Sequence, residues 1–216
     1  MFVEGTLRWQ VTEDCPWDLL IALALRDLAG LGGVGDPALP RLLPEVAPVL
    51  QSRGHPEPRV DAASSGIGAG AGGGGVLARQ WRALFDLAAD REHRPRTPLL
   101  QPPHFEALDR MIELQDLVIA RHEEAARWAR ERQAEYARLG LRNHARRAAD
   151  IVDVVHEREH SLRRQAGYFR LDIDVLPLAE PGAWIVGPHT VVVSATMRDD
   201  SAAFRAFFRP LIAALV

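Results

Sequence analysis

The sequence predicts an α+β fold, in which long helices pack with a small, mainly antiparallel sheet. Residues 105–168 carry apolar residues at helical spacing, which predicts long helices. Residues 2–11 alternate between apolar and polar side chains, and the β-branched run 190–193 also favours a strand. Because strands are predicted at both ends, we expect the first strand to return and pair with the C-terminal strands within one domain, 1–216.

The N-terminal third contains one clear helix. The turn-forming residues 12–16 follow the first strand, and the apolar residues of 17–29 predict a helix that ends at the glycines of 30–35. Pro37 and Pro40 favour a second, short helix that continues to Leu50.

A segment rich in glycine, alanine and proline, 52–75, predicts a flexible loop or linker. Ordering such a segment costs much backbone entropy and buries little apolar surface. It lacks the GKS or GKT ending of a phosphate-binding loop. The chain then predicts an amphipathic helix over 76–90 and an extended connector over 91–103.

The two long helical runs, 105–138 and 141–168, are separated by little more than Leu139 and Gly140. A short connection between long helices predicts an antiparallel hairpin over 105–168. The remaining segment, 170–216, predicts two strand regions and a final helix.

The first of these C-terminal strands covers 171–178. The second region, 183–197, is expected to form a hairpin that turns at Gly187 and Pro188. The polar residues 199–201 predict the N-terminal cap of the last helix.

Composition excludes several classes of function. All 26 basic residues are arginine, so no lysine can form a Schiff base or hold a phosphate in a P-loop. The net charge of −3 gives no general attraction to nucleic acid, and we expect no nucleic-acid partner. The single cysteine, Cys15, excludes a disulfide scaffold and fits a cytoplasmic protein. The sequence contains no run of 18 apolar residues, so we expect no membrane span.

One short motif points to metal chemistry. His156, Glu157 and His160 fit the H-E-x-x-H pattern, in which two histidines bind zinc and the glutamate acts as general base. Arg158 and Glu159 occupy positions that are usually uncharged in zinc peptidases. Glu157 also projects away from the apolar stripe, so the motif alone does not establish a peptidase.

A hairpin that turns near Gly140 would place His122 opposite Glu159. Both polar residues fall inside otherwise apolar stripes, and buried polar groups need partners. One interpretation is a hydrogen-bonded pair that fixes the register of the two helices. The alternative is that His122, Glu159, His156 and His160 converge on one zinc ion.

The leading functional hypothesis is a binding or assembly protein built on the helical hairpin, with no cofactor and with an unknown protein or small-molecule partner. The alternative is a zinc-dependent hydrolase that acts through the motif at 156–160. A third hypothesis places a small acidic ligand on Arg94 and Arg96 of the connector. The sequence does not predict an oligomeric state.

Overall fold

The computed structural model describes residues 2–4, 8–47, 73–91 and 98–216. Most of the predicted flexible loop at 52–75 lies outside these residues, although Gly73–Gly75 begin a helix. Residues 92–97 of the predicted connector also lie outside the described residues.

The predicted α+β class is confirmed by a five-stranded sheet and a set of helices. The strands have the spatial order β1-β2-β3-β5-β4 and are β1 (Phe2–Glu4), β2 (Trp9–Asp14), β3 (Phe169–Leu176), β4 (Ala183–Ile185) and β5 (Thr190–Ser194). The N-terminal segment does return to the C-terminal strands, since β2 pairs with β3. The predicted hairpin at the C-terminal end is also confirmed, with Ile185 opposite Val191.

The expectation of a mainly antiparallel sheet is wrong, because the sheet is mixed. The inner strands β2, β3 and β5 run parallel, and only the edge strands β1 and β4 pair antiparallel. Parallel neighbours need a long crossover connection, and the helical segment between β2 and β3 supplies one. The carboxyl ends of three strands therefore meet at one edge of the sheet.

The α-helices of the described residues are α1 (Trp17–Leu28), α2 (Gly73–Ala89), α3 (Ile112–Leu162), α4 (Ala195–Asp199) and α5 (Ser201–Leu215). The carboxylate of Asp200 accepts the backbone N–H groups of Ala202 and Ala203, which confirms the predicted cap. The short helix predicted after Pro37 is wrong over its described residues, which form turns and one bridge between Leu42 and Leu178.

The predicted helical hairpin over 105–168 is wrong, because α3 is one continuous helix of 51 residues. At 1.5 Å per residue it is about 76 Å long. Gly140 lies in its interior, where a single glycine costs only about 1 kcal/mol relative to alanine and does not end a helix. Despite the length of α3, none of the helices in the described residues is apolar enough over a sufficient length to cross a membrane.

The sheet has an apolar core on each face, and α3 contributes to both. The first half of α3 packs with α1 and α2, and buries Val118 and Ala129 there. The second half packs on the other core with α5, and buries Ile151 and Val155. Tyr136 contacts both cores, so α3 passes from one to the other near this residue. The middle of α3 is polar because it lies between the two cores, and not because the chain turns there.

Candidate functional site

His122 and Glu159 do not meet. They are 37 residues apart on one continuous helix, which corresponds to about 55 Å along its axis. The predicted pair, and the four-residue zinc site that needed it, are therefore wrong. The His122 ring instead packs against Phe105, with ring centroids 4.9 Å apart and the ring planes tilted by 56°. Partial burial, together with the charge of Arg130, lowers the pKa of His122.

The H-E-x-x-H motif lies on the last turns of α3. His156 and His160 are exposed, and the Glu157 carboxylate accepts a 3.0 Å hydrogen bond from Arg209 Nε. Glu159 accepts the backbone N–H of Ala166 at 2.8 Å. Within the described ranges no group of three histidine, cysteine or acidic side chains has the geometry of a metal site. Zinc binding at this motif stays a prediction.

The centre of α3 lies against the carboxyl edge of the parallel strands. Gln133 Nε2 donates to the carbonyl of Cys15 at 3.1 Å, directly after β2. The Tyr136 hydroxyl donates to Glu13 Oε1 at 3.4 Å. These contacts fix the helix at the edge where ligands commonly bind in sheets with parallel strands.

A buried ion-pair network anchors this edge. Glu13 Oε1 accepts from Arg147 Nη1 at 2.8 Å, and its Oε2 accepts from Arg198 Nε at 2.7 Å. All three side chains are at most 2% exposed. The Arg198 guanidinium also lies 4.0 Å from the ring centroid of Phe204. Glu13 thus joins β2 to α3 and to α4.

Further acidic residues extend the network to α5. Asp199 Oδ1 accepts from Arg147 Nη2 at 2.9 Å, and Asp150 Oδ1 accepts from Arg205 Nε at 2.7 Å. Burial opposes the charge of Arg147, but the hydrogen bond to Asp199 and the Glu13 carboxylate raise its pKa overall. Each buried charge of this network therefore has an opposite partner, as buried charges require.

Beside this network lies a cavity of about 270 Å³. It opens where β2, β3 and β5 end, and its wall includes Cys15, Val175 and Ala195. Five further apolar residues line it, which are Leu43, Pro44, Leu139, Pro177 and Leu178. We call this cavity the edge pocket.

Two arginines in the wall of the edge pocket each have a hydrogen-bond donor with no acceptor among the described residues. Arg147 Nε and Arg132 Nε are both buried and have no hydrogen-bond partner in the described part of the chain. The Nη atoms of Arg132 lie 2.8 Å from Glu135 and 3.6 Å from Glu131, so its charge is already paired. Buried donors without acceptors are costly, and a bound molecule can supply the acceptor.

Cys15 and Tyr136 also line the edge pocket, and neither ionises at neutral pH. Burial, and then the charges of Asp14 and Asp174, raise the pKa of the Cys15 thiol to about 12. Burial and the Glu13 carboxylate raise the pKa of Tyr136 well above its ordinary value of 10.0. A protonated thiol is a poor nucleophile, so these residues favour binding over covalent chemistry.

A second, more polar cleft of about 390 Å³ lies at the opposite end of β5. Arg91 and Asp172 line it together with His189 at its mouth. Arg91 binds Asp174 on the same central strand, and both aspartates are at most 2% exposed. Burial opposes the charge of Arg91, but Asp174 and the neighbouring carboxylates raise its pKa overall. The positions of Arg94 and Arg96 lie outside the described residues.

The sequence interpretation missed the residues of the edge pocket and of the ion-pair network beside it. Glu13 lies 134 residues from Arg147 and 185 from Arg198, and no local pattern joins them. Asp172 and Asp174 carried a usable signal, because their spacing places them on one face of a strand. No signal distinguished Arg147 from the exposed arginines of α3.

Comparisons of the chain with protein-family models, with curated proteins and with solved structures found no match.

Proposed function

We propose that this protein binds a small, mainly apolar molecule in the edge pocket. The observation that carries the proposal is an apolar cavity at the carboxyl ends of three parallel strands, with two buried guanidinium N–H groups that have no acceptor among the described residues. Ligand sites commonly combine an apolar wall with a few fixed polar groups, and they favour this edge of the sheet.

The size of the pocket limits the ligand. A volume of about 270 Å³ is close to the lower end of typical small-molecule sites, so a compact molecule fits better than a dinucleotide or a peptide. The apolar side chains of Leu139, Val175 and Leu178 would supply most of the binding free energy through burial of apolar surface.

The charges around the pocket favour a neutral acceptor group on the ligand. Arg147 is already paired with Glu13 and Asp199, and Arg132 is paired with Glu135. A ligand carboxylate would lose its hydration next to these acids without meeting an unpaired cation. A carbonyl or ether oxygen can accept an Arg Nε–H group at a smaller desolvation cost.

Three aromatic probes of similar size test this proposal. Acetophenone offers a neutral carbonyl, ethylbenzene offers no strong acceptor, and benzoate offers a charged one. We expect acetophenone to raise Tm most, and ligand-observed NMR to show saturation transfer to it. If none of the three binds, the proposal is wrong.

A variant that narrows the pocket locates the binding site. Thr196 is exposed and lies in the pocket wall, so Thr196→Trp should weaken acetophenone binding while the protein stays folded. Ser161→Trp introduces the same side chain at an exposed position near the end of α3 and serves as the matched control. Equal binding by both variants would place the probe elsewhere.

A further inference from the structure

The outward face of α3 carries charged and apolar side chains that the rest of the described chain does not cover. This face consists of the exposed residues Asp116, Ile119, Glu123, Arg127, Arg130, Glu131, Arg138, Leu141 and Arg142. Ile119 is 60% exposed and Leu141 is 85% exposed. We call these nine residues the outer face.

Several charged residues of the outer face have no hydrogen-bond or ion-pair partner among the residues that the structure describes. Asp116, Glu123, Arg127 and Arg142 make no hydrogen bond or ion pair with any other residue that the structure describes. The acids come first along the helix and the arginines come later. A helix with this charge order is complementary to a second copy of itself that runs in the opposite direction.

The residue numbers define one register for such a pairing. Residues at the same level of two antiparallel helices have numbers with a constant sum. The sums are 258 for Asp116 with Arg142, 260 for Ile119 with Leu141, 261 for Glu123 with Arg138, and 258 for Arg127 with Glu131. This spread is smaller than one helical turn of 3.6 residues.

The same residues also share one side of the helix. At 100° per residue, the outer face spans about 140° from Ile119 to Arg142. Ala120, Ala134 and Ala145 lie between them and are exposed. Small side chains at these positions let two helix backbones approach closely enough for the longer side chains to meet.

We propose that two copies of this chain form a symmetric dimer through the outer face of α3. The twofold axis passes near Arg130, so the exposed Arg130 side chains of the two copies lie close to each other, and the two helices run antiparallel. Ile119 of each copy packs on Leu141 of the other, and Asp116 and Glu123 of each copy bind Arg142 and Arg138 of the other. The edge pocket lies on another side of α3, so the dimer leaves it open.

The strength of this dimer depends on salt. Exposed ion pairs contribute little individually and are screened at high ionic strength. The apolar contact is limited to Ile119, Leu141 and the small residues between them. We therefore expect dimerisation at low salt and a Kd that rises about tenfold or more between 50 mM and 500 mM NaCl.

A charge-swap experiment tests the register as well as the dimer. Asp116→Arg alone and Arg142→Glu alone each place like charges at both symmetry-related contacts, so each variant should be monomeric in sedimentation velocity. An equimolar mixture of the two variants places opposite charges at both contacts in a heterodimer. The mixture should dimerise with a Kd within about threefold of the unaltered protein.

The controls separate loss of the dimer from loss of the fold. Arg79→Glu reverses an exposed charge on α2 and should leave the dimer intact. The far-UV circular dichroism spectrum should be unchanged in every variant, and the Tm of the monomeric variants should match that of the unaltered protein at high salt, where the dimer is dissociated. A monomeric unaltered protein at low salt, single variants that still dimerise, or a mixture that stays monomeric would each overturn the proposal.

A cross-linking experiment gives a second, independent result. Mixing Ile119→Cys protein with Leu141→Cys protein should produce a disulfide-linked heterodimer under mild oxidation, because these positions face each other. The native Cys15 is 3% exposed and does not compete. Absence of this product, at concentrations where the unaltered protein dimerises, would exclude the proposed register.

Discussion

Glu13 and Arg198 form a fully buried ion pair, in which Glu13 Oε2 accepts from Arg198 Nε at 2.7 Å. Glu13 is the last residue but one of β2, and Arg198 lies in α4, which follows β5. The same carboxylate binds Arg147 of α3. One acid therefore joins three elements at the edge of the sheet.

Replacement of Glu13 by alanine should lower the free energy of unfolding considerably. Arg147 would keep Asp199 as its partner, but Arg198 would lose its closest carboxylate, and loss of one partner of a buried pair costs about 3–5 kcal/mol. Urea unfolding followed by circular dichroism measures the change. Glu180→Ala removes an exposed acid and should change stability by less than about 0.5 kcal/mol.

Replacement of Gly140 by alanine should stabilise the protein by about 0.5–1 kcal/mol, because Gly140 lies inside a continuous helix. A Cβ atom at this position meets no neighbouring atom within 4 Å. Gly140→Pro should instead destabilise by about 3 kcal/mol or more. A loss of stability in Gly140→Ala, measured by thermal unfolding, would contradict the continuous helix.

Cys15 should make the protein less stable at alkaline pH. Its pKa is about 12 in the folded protein and 9.0 ordinarily, so above pH 9 the unfolded chain releases the thiol proton while the folded chain keeps it. The contribution of the Cys15 thiol to the free energy of unfolding is therefore fully present below pH 9 and is lost as the pH rises towards 12. The raised pKa of Tyr136 acts in the same direction.

Two measurements check this pH dependence. Cys15→Ala should lose less stability between pH 9 and pH 12 than the unaltered protein does, although it starts from a lower value because the side chain is buried. Iodoacetamide should alkylate Cys15 slowly at pH 8 and rapidly after unfolding in urea. Rapid alkylation of the folded protein at pH 8 would show that the thiol is not protected.

Arg91 should stabilise the carboxylates of the central strand. Arg91→Met leaves Asp174 without this guanidinium in a buried position, and we expect a loss of about 3 kcal/mol or more. The double change Arg91→Met with Asp174→Leu should recover part of that loss. Arg82→Met, at a side chain that is 46% exposed, serves as the control in urea unfolding.

The zinc hypothesis has a direct test. His156 and His160 have no third ligand among the described residues, so we expect less than one equivalent of zinc in protein purified without a histidine tag. Elemental analysis measures the content. One equivalent of zinc that disappears in a His156→Ala, His160→Ala variant would instead support a metal site.

Local patterns predicted the individual elements well where one segment meets one core. The residues of α1, the cap at Asp200 and the hairpin at Gly187 follow from spacing and turn chemistry alone. The prediction of two helices over 105–168 was wrong because a single helix lies on two cores. The polar residues in the middle of this helix interrupt the apolar pattern in the same way as a loop between two helices would.

The sequence by itself determined the α+β class, the return of the N-terminal strand to the C-terminal strands, and the exclusion of lysine chemistry. Tertiary structure alone decided the parallel core of the sheet, the continuity of α3 and the partners of Glu13. The physical reason is the distance along the chain between the residues that interact. Periodicity and capping are properties of neighbouring residues, whereas a buried ion pair joins residues more than a hundred positions apart whose approach only the folded chain defines.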